Sequence, residues 1–397
     1  MKTNSFMQIF IVTWMNLRNI PQRIGTSAVA VFGVACVVGV FIGVLSMAAG
    51  FEKTMRNAGS PDTAIVMRAG ATSEMSSGLD YETTQLVANL PGVAKEEGIG
   101  VTSAELFVVV DVPKRTTNSS ANVPLRGVQA NAFKLRPAFK IIEGRNFEPG
   151  KNELIVGRGA QKQFADLDVG SKIKLGPTEW SVVGLFDVGG GVAESELWCD
   201  AKILQAAYRR GNSYQTIRLQ LSSPVALREL KSAIAADPKF NLDVQLESEY
   251  LAAQSEPLSK FIKIVGYPLA ILMAIGAVFG AINTMYTSVS TRTREIATLR
   301  AIGFGALPVA ISTLVESLIL SFIGGLIGSI LVYVVFNGYT VSTLNFASFS
   351  QVVFDFAVTP QLLIQGVMFA AVIGFVGGVF PALRAANLPV ATALREV

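Results

Sequence analysis

Histidine is absent from all 397 residues, and cysteine occurs only twice. Without histidine the chain lacks the commonest general base, the usual nucleophilic triads and most zinc chemistry, so no catalytic residue, metal site or bound cofactor is expected. No G-x-x-x-x-G-K-[ST] sequence occurs either, so any ATP and its magnesium would have to be bound by another chain. Gly189-Gly190-Gly191 is not followed by Lys-Ser/Thr or by a helix signal, and it is not read as a phosphate cradle. The net charge is +4, yet no run of five or more basic residues exists. That balance suits solvated charge and anchoring at a lipid surface, with no nucleic-acid partner.

Charge itself is scarce, at 16% of residues, and four stretches almost entirely lack it. Ile24 to Phe51, Ile264 to Thr291 and Phe356 to Leu383 carry no charged residue, and Ala301 to Tyr333 carries only Glu316. About 20 helical residues cross a ~30 Å hydrocarbon core, and soluble helices average about 11 or 12, so four membrane spans are expected. The first run is too long for a cleaved signal peptide and is read as a signal anchor. Cys36 lies in that run and Cys199 far outside it, so both are expected to be unpaired thiols.

Orientation follows from arginine in the short loops. The loop after the second span carries Arg292, Arg294 and Arg300, and the tail carries Arg384 and Arg395, whereas residues 337–359 contain no Lys or Arg. Both termini and the second loop are therefore expected in the cytoplasm, with the large domain outside, in the periplasm of a bacterial inner membrane. The reading divides the chain into a cytoplasmic amphipathic helix over 1–23, spans over 24–51, 261–289, 305–336 and 359–383, an outer domain over 52–260, a connecting helix over 290–304, a short outer loop over 337–358 and a tail over 384–397.

Before the first span, Phe6, Ile9, Phe10, Thr13, Leu17 and Ile20 recur near helical spacing with Trp14 among them. That stripe fits a helix lying in the cytoplasmic leaflet or on a partner protein, with Pro21 or Gly25 bending the chain into the span. The outer domain reads as α+β, with two β-α-β halves over about 52–138 and 203–260 that suggest a ferredoxin-like or split arrangement. Between them, about 139–202, short strands separated by glycine and proline turns read as a β-rich insert. The fold class is thus an integral membrane protein of four transmembrane helices with a large α+β periplasmic domain.

In the loop after span two, Glu295 to Ala301 can form a short helix with Ile296, Leu299 and Ile302 on one side, and Gly303 as its stop. Such a helix offers an apolar edge to a partner and arginines, Arg292 at the rim, to acidic groups or lipid headgroups. Those arginines could equally do no more than set topology. Glu316 lies deep in span three, and an ionisable group there needs a partner. Ser312, Ser317, Ser321 or a second copy of the span are the candidates, and a role in ion or proton passage is the less favoured alternative to packing. Gly324 and Gly328 form a small-xxx-small face for close helix approach.

The segment from Ser290 to Gly303, STRTREIATLRAIG, resembles the FtsX/MacB-type ABC transporter permease family, in which a basic R-E-I-x-x-L-[RK]-A-x-G segment joins the second and third of four spans. The ending PALRAANLPVATALR from Pro381 to Arg395 is similar to the same family's C-terminus, and EGRNFEPGKNELIVG through WSVVGLFD looks like the MacB-type periplasmic core. The resemblance implies a non-catalytic membrane subunit, paired with a second permease copy and served by two ABC ATPase subunits that hold ATP and magnesium. It implies an ATPase-coupling segment at Arg292, Arg294, Glu295, Ile296, Leu299, Arg300 and Gly303, and mechanotransmission from there to the periplasmic domain. The outer work would be efflux of a periplasmic substrate with an adaptor protein and an outer-membrane channel. Lipoprotein release, control of a cell-wall hydrolase, and a membrane-anchored sensor or assembly factor without an ATPase remain alternatives.

Overall fold

The computed structural model describes residues 5–19 and 24–393. Lys2, Ile20, the expected bend at Pro21, Arg23 and Arg395 lie outside the described residues. The helices in chain order are α1 (Ser5–Arg18), α2 (Ile24–Arg56), α3 (Tyr81–Ala88), α4 (Arg158–Gln163), α5 (Ala201–Ala207), α6 (Ala226–Ala236), α7 (Glu247–Thr291), α8 (Thr293–Ala301), α9 (Ala306–Phe336) and α10 (Pro360–Ala386). Helices α2, α7, α9 and α10 are each long and apolar enough to cross a membrane. The chain forms two compact units, one of residues 1–49, 261–337 and 357–397, the other of 50–260 and 338–356.

The first unit is helical and packs through small residues. A Cβ placed on Gly328 would stand 2.4 Å from the Ala35 carbonyl oxygen of α2, and one on Gly324 would stand 2.7 Å from that of Val31. Glycine at these two positions lets α9 approach the α2 backbone, as a small-xxx-small face should. On another side of α9, Ser317 Oγ donates to the Gly374 carbonyl of α10 at 2.8 Å. Thr359 caps α10 by accepting from Leu362 N at 3.3 Å, with Pro360 next to it where a missing N–H costs nothing. Helix α1 lies against α9, where Asn16 Nδ2 donates to Ser312 Oγ at 2.8 Å and Val12 is buried. Phe6, Phe10 and Trp14, one helical turn apart, form its exposed stripe.

The second unit is built on one ten-stranded sheet. Its strands are β1 (Thr63–Arg68), β2 (Lys95–Glu96), β3 (Ile99–Gly100), β4 (Thr102–Pro113), β5 (Ser120–Val128), β6 (Lys140–Gly144), β7 (Glu153–Gly157), β8 (Lys172–Leu175), β9 (Thr178–Asp187), β10 (Leu197–Asp200), β11 (Thr216–Gln220), β12 (Leu242–Leu246), β13 (Thr340–Asn345) and β14 (Ser350–Asp355), of which β2–β3 and β13–β14 form separate pairs. The order β12-β1-β11-β4, with α3 after β1 and α6 after β11, is the split β-α-β arrangement expected from the two halves. Ala64, Val66, Leu219, Leu230, Ile234 and Val244 form the core beneath it.

Three features add to or differ from the sequence reading. The β-rich insert continues the sheet of the two halves: β4 and β5 pair along their lengths, β10 joins β5 in parallel, and β7, β9 and β6 continue the same sheet. The insert also holds α4 after β7, and α5 follows β10, each too short to show a helical period; Asp200 caps α5 by accepting from Lys202 N at 2.7 Å. Residues 337–358, expected as a plain loop, contain the hairpin β13–β14, which belongs to this unit. Val353 joins the core that also holds Trp180 and Phe164, and Ser195 Oγ accepts from Val353 N at 2.7 Å.

Candidate functional site

Helix α8 connects α7 to α9 and is held from both ends. It begins at Thr293 and stops at Ala301, with Gly303 at φ +103°, a conformation open to glycine that turns the chain toward α9. Ile296 packs with Val289, Val309 and Ala385 in a small core. Leu299 is half-buried, whereas Ile302 is 70% exposed and Leu307 is also exposed. Ile296, Leu299 and Ile302 therefore do not present one exposed edge: Ile296 faces the protein's own helices, and the C-cap residue Ile302, about 120° further round, faces away from them.

The arginines divide in the same way. Arg300 Nη1 donates to the Ala386 and Leu388 carbonyls at 2.8 and 2.9 Å, capping the end of α10, and Arg294 is exposed. Arg292, expected at a rim, is 5% exposed. Its guanidinium donates to Glu316 Oε2 on α9 at 3.2 Å and reaches exposed Glu295 at 3.4 Å. Glu316 thus meets an arginine, a partner not among the serines and second copy of the span expected for it. A guanidinium satisfies a carboxylate by charge as well as by hydrogen bonding, which hydroxyls cannot do.

A second constellation was not foreseen. In the extramembrane unit, Arg126 of β5 binds Glu196 through Nε at 2.7 Å and Nη2 at 2.8 Å, Glu74 at 2.5 and 3.1 Å, and Glu105 of β4 at 3.0 Å. Arg218 of β11 pairs with Glu105, with Glu74 at 3.2 Å and with Glu247, the first residue of α7, at 2.7 Å. Arg136 holds Glu105 from another side at 3.0 Å. Glu74, Glu105 and Glu196 are each bonded through both oxygens, and further donors add to this: Trp198 Nε1 donates to Glu196 at 2.7 Å and Thr216 Oγ1 to Glu74 at 3.3 Å. Burial pushes Glu74 upward, but Arg126 and Arg218 outweigh it and bring its pKa down to about 2. Glu105 is lowered further, its burial overcome by Arg136, Arg218 and Arg126. Such saturated pairing holds structure rather than poising a proton for transfer. Among the described residues no three His, Cys, Asp or Glu side chains come together as metal donors, and both cysteines are free thiols.

Comparison with known proteins bears on what these parts serve. Residues 27–237 match the MacB-like periplasmic core domain, and residues 268–390 match the FtsX-like permease C-terminal domain, which spans α8 to α10 and the second half of α7. The chain belongs to the MacB/FtsX family of ABC transporter permeases. Its MacB-like part contains the buried charges apart from Glu247, and its FtsX-like part contains the Arg292–Glu316 pair.

Among relatives, the macrolide export ATP-binding/permease protein MacB of Campylobacter jejuni subsp. jejuni (strain 81-176) is 28% identical over 329 residues, covering 74% of this chain and 48% of that protein. The chain spans about half the length of such MacB relatives. An uncharacterized ABC transporter permease of Bacillus subtilis (strain 168), YknZ, is 23% identical over 390 residues, 93% of this chain and 94% of that one. The periplasmic region of MacB from Actinobacillus actinomycetemcomitans superposes on 50% of this chain and 94% of its own at 13% identity, with a TM-score of 0.37. At that score the likeness carries no weight for the fold.

Proposed function

We propose that this permease is the membrane subunit of a bacterial ABC system, working as a dimer of two copies with two separate ATPase subunits that hold ATP and magnesium. Both termini and α8 face the cytoplasm, and the MacB-like domain faces the periplasm. ATPase closure moves α8, and the motion serves efflux of a periplasmic substrate through an adaptor protein and an outer-membrane channel. The observation that carries this reading is how α8 is tied. Arg292 binds Glu316 on α9 and Arg300 binds the end of α10, so a push on α8 moves two long apolar helices with it. The exposed groups left for an ATPase include Arg294, Glu295, Thr298, Ile302 and Leu307, with half-buried Leu299 beside them.

Ile302→Asp places a charge where an ATPase groove would bury it, which costs several kcal/mol and weakens association by more than about a hundredfold. Co-purification of the cognate ATPase with Ile302→Asp and with the parent chain, after membrane insertion is verified, tests the reading. Equal recovery of the ATPase would show that α8 is not its docking element. Orientation is tested separately by labelling intact cells: a cysteine at exposed Ser119 should react with an impermeant reagent and one at exposed Thr298 should not.

A further inference from the structure

The extramembrane unit contains a cavity of about 260 Å³ between the start of α7, the segment after α2 and the β13–β14 hairpin, with the buried ion network along one wall. Its size is just under the range of about 300 to 1,000 Å³ typical of small-molecule sites. Met55, Phe107, Leu135, Leu251 and Val352 give it apolar walls, and Asn345 Nδ2 donates to Gln254 Oε1 at 3.2 Å, tying the hairpin to α7.

The charge along that wall is not balanced. The network holds four carboxylates against three guanidiniums, and among the described residues no further Lys or Arg pairs with any of the four. Glu74, Glu105 and Glu196 each use both oxygens, so the surplus falls on the fourth. Glu247 is 3% exposed, and its side chain makes one bond among the described residues, accepting from Arg218 Nε through Oε1 at 2.7 Å. Its Oε2 accepts no hydrogen bond and is open to a water-sized molecule, and Glu247 lines the cavity. Helix α7 begins at Glu247, and its N-terminus offsets about half a charge without bonding that oxygen. A buried carboxylate with an unbonded oxygen on a cavity is the acceptor half of an ion pair.

The donor set restricts the other half. Among the described residues no three His, Cys, Asp or Glu side chains converge as metal donors, whereas an ammonium needs only one such carboxylate and supplies its own N–H donors. We propose that this cavity binds a small organic cation, an ammonium group on an apolar body, with the ammonium donating to Glu247 Oε2 and the body lying on the apolar walls. The bound charge brings the network to four of each sign. The site is a property of this chain and does not depend on an ATPase partner.

Isoamylamine, isoamyl alcohol and isovalerate share one branched apolar body and carry an ammonium, a hydroxyl and a carboxylate in turn. They serve as the probes, titrated calorimetrically into the full chain in nanodiscs of zwitterionic lipid, with empty nanodiscs as the blank. The amine should bind saturably, the alcohol at least tenfold more weakly, and isovalerate not at all. Glu247→Gln keeps an oxygen for Arg218 while removing the surplus charge, so it should weaken the amine at least tenfold and bring it level with the alcohol. Trp180 and Trp198 fluorescence, both tryptophans being buried in this unit, checks that the variant remains folded. Should it misfold, Ser348→Phe, on the hairpin turn that lines the cavity, takes up the space instead and should lose the amine. Absence of saturable amine binding at millimolar concentration, equal affinity for amine and alcohol in the parent chain, or full amine binding by folded Glu247→Gln or Ser348→Phe would each overturn the proposal and leave Glu247 to ordered water.

Discussion

The two units bury charge by different means. Among the described residues of the helical unit, the buried ion pair is Arg292–Glu316, and close packing elsewhere relies on glycine and serine against backbone. The extramembrane unit buries Glu74, Glu105, Glu196 and Glu247 against Arg126, Arg136 and Arg218, with each arginine or its carboxylates shared among several partners. Removing a charge from a buried pair leaves its partner uncompensated, and that loss exceeds the worth of the pair. In the first unit such a change strands one group; in the second, loss of Arg126 strands Glu196 and takes one of several partners from Glu74 and from Glu105. Sensitivity to a single substitution should therefore scale with the number of partners, not with the number of charges.

The largest effect is expected for Arg126→Met, which leaves Glu74, Glu105 and Glu196 short of a partner. Breaking one buried pair costs about 3–5 kcal/mol, so this variant should lose about 5 kcal/mol or more. Urea unfolding followed by Trp180 and Trp198 fluorescence measures it, and a loss near 1 kcal/mol would mean that the network is not the keystone of its unit. Arg292→Ala should cost about 3–5 kcal/mol in the helical unit, read as thermostability in detergent. The double variant Arg292→Met/Glu316→Leu should recover most of that loss, because no charge is then stranded.

Acid should separate the units next. The folded pKa of Glu74, about 2, lies below its ordinary 4.5, so the stability it contributes is present above the higher value and is lost as pH falls toward the lower. About 3 kcal/mol should disappear from the extramembrane unit between roughly pH 5 and pH 2. Fluorescence-detected unfolding across that window checks the sign, and a midpoint unmoved by acid would contradict it. The smallest effect, about 1–3 kcal/mol, is expected for Gly328→Leu, where the new side chain must displace α2 from the Ala35 carbonyl. Thermostability that matched the parent would show that this contact yields.

Much of this difference between units was hidden in the sequence for identifiable reasons. The four long helices announce themselves by length without charge, and β1, β8 and β12 by alternation and flanking turns. The buried charges do not: Glu105 in AELFVVV, Arg126 in PLRGV and Arg218 in TIRLQL sit at alternate positions that ordinarily face water. Strand β4 is buried on both faces from Ser103 to Phe107, so the alternation there does not mark an inside and an outside. Glu196, in SELWCD, carried a weak signal in having large apolar neighbours on both sides. The failure at α8 was geometric. Ile296, Leu299 and Ile302 are spaced by three, and each step of three falls about 60° short of a full turn, so Ile302, the C-cap residue, has left the buried face that Ile296 occupies. Hairpin β13–β14 was missed because it is enclosed by two apolar runs, though TVSTLN and SQVVFD alternate well enough to be strands.

The hairpin also sets a timetable for the molecule's assembly. Ser195 and Val353 are hydrogen-bonded across 158 residues of chain, and Val353 is part of the same core as Trp180. A ribosome delivers residues in order, and domains usually fold as they emerge. Here the large unit is nearly complete once α7 has been made, yet its last two strands arrive only after α8 and α9 have been synthesised. In the interval the Ser195 hydroxyl and the Gln254 amide lack their native partners, and the core that holds Trp180 is open where Val353 will fit. Chains stalled after α9 should therefore present a nearly finished domain to quality-control proteases, with protection gained abruptly when residue 355 emerges.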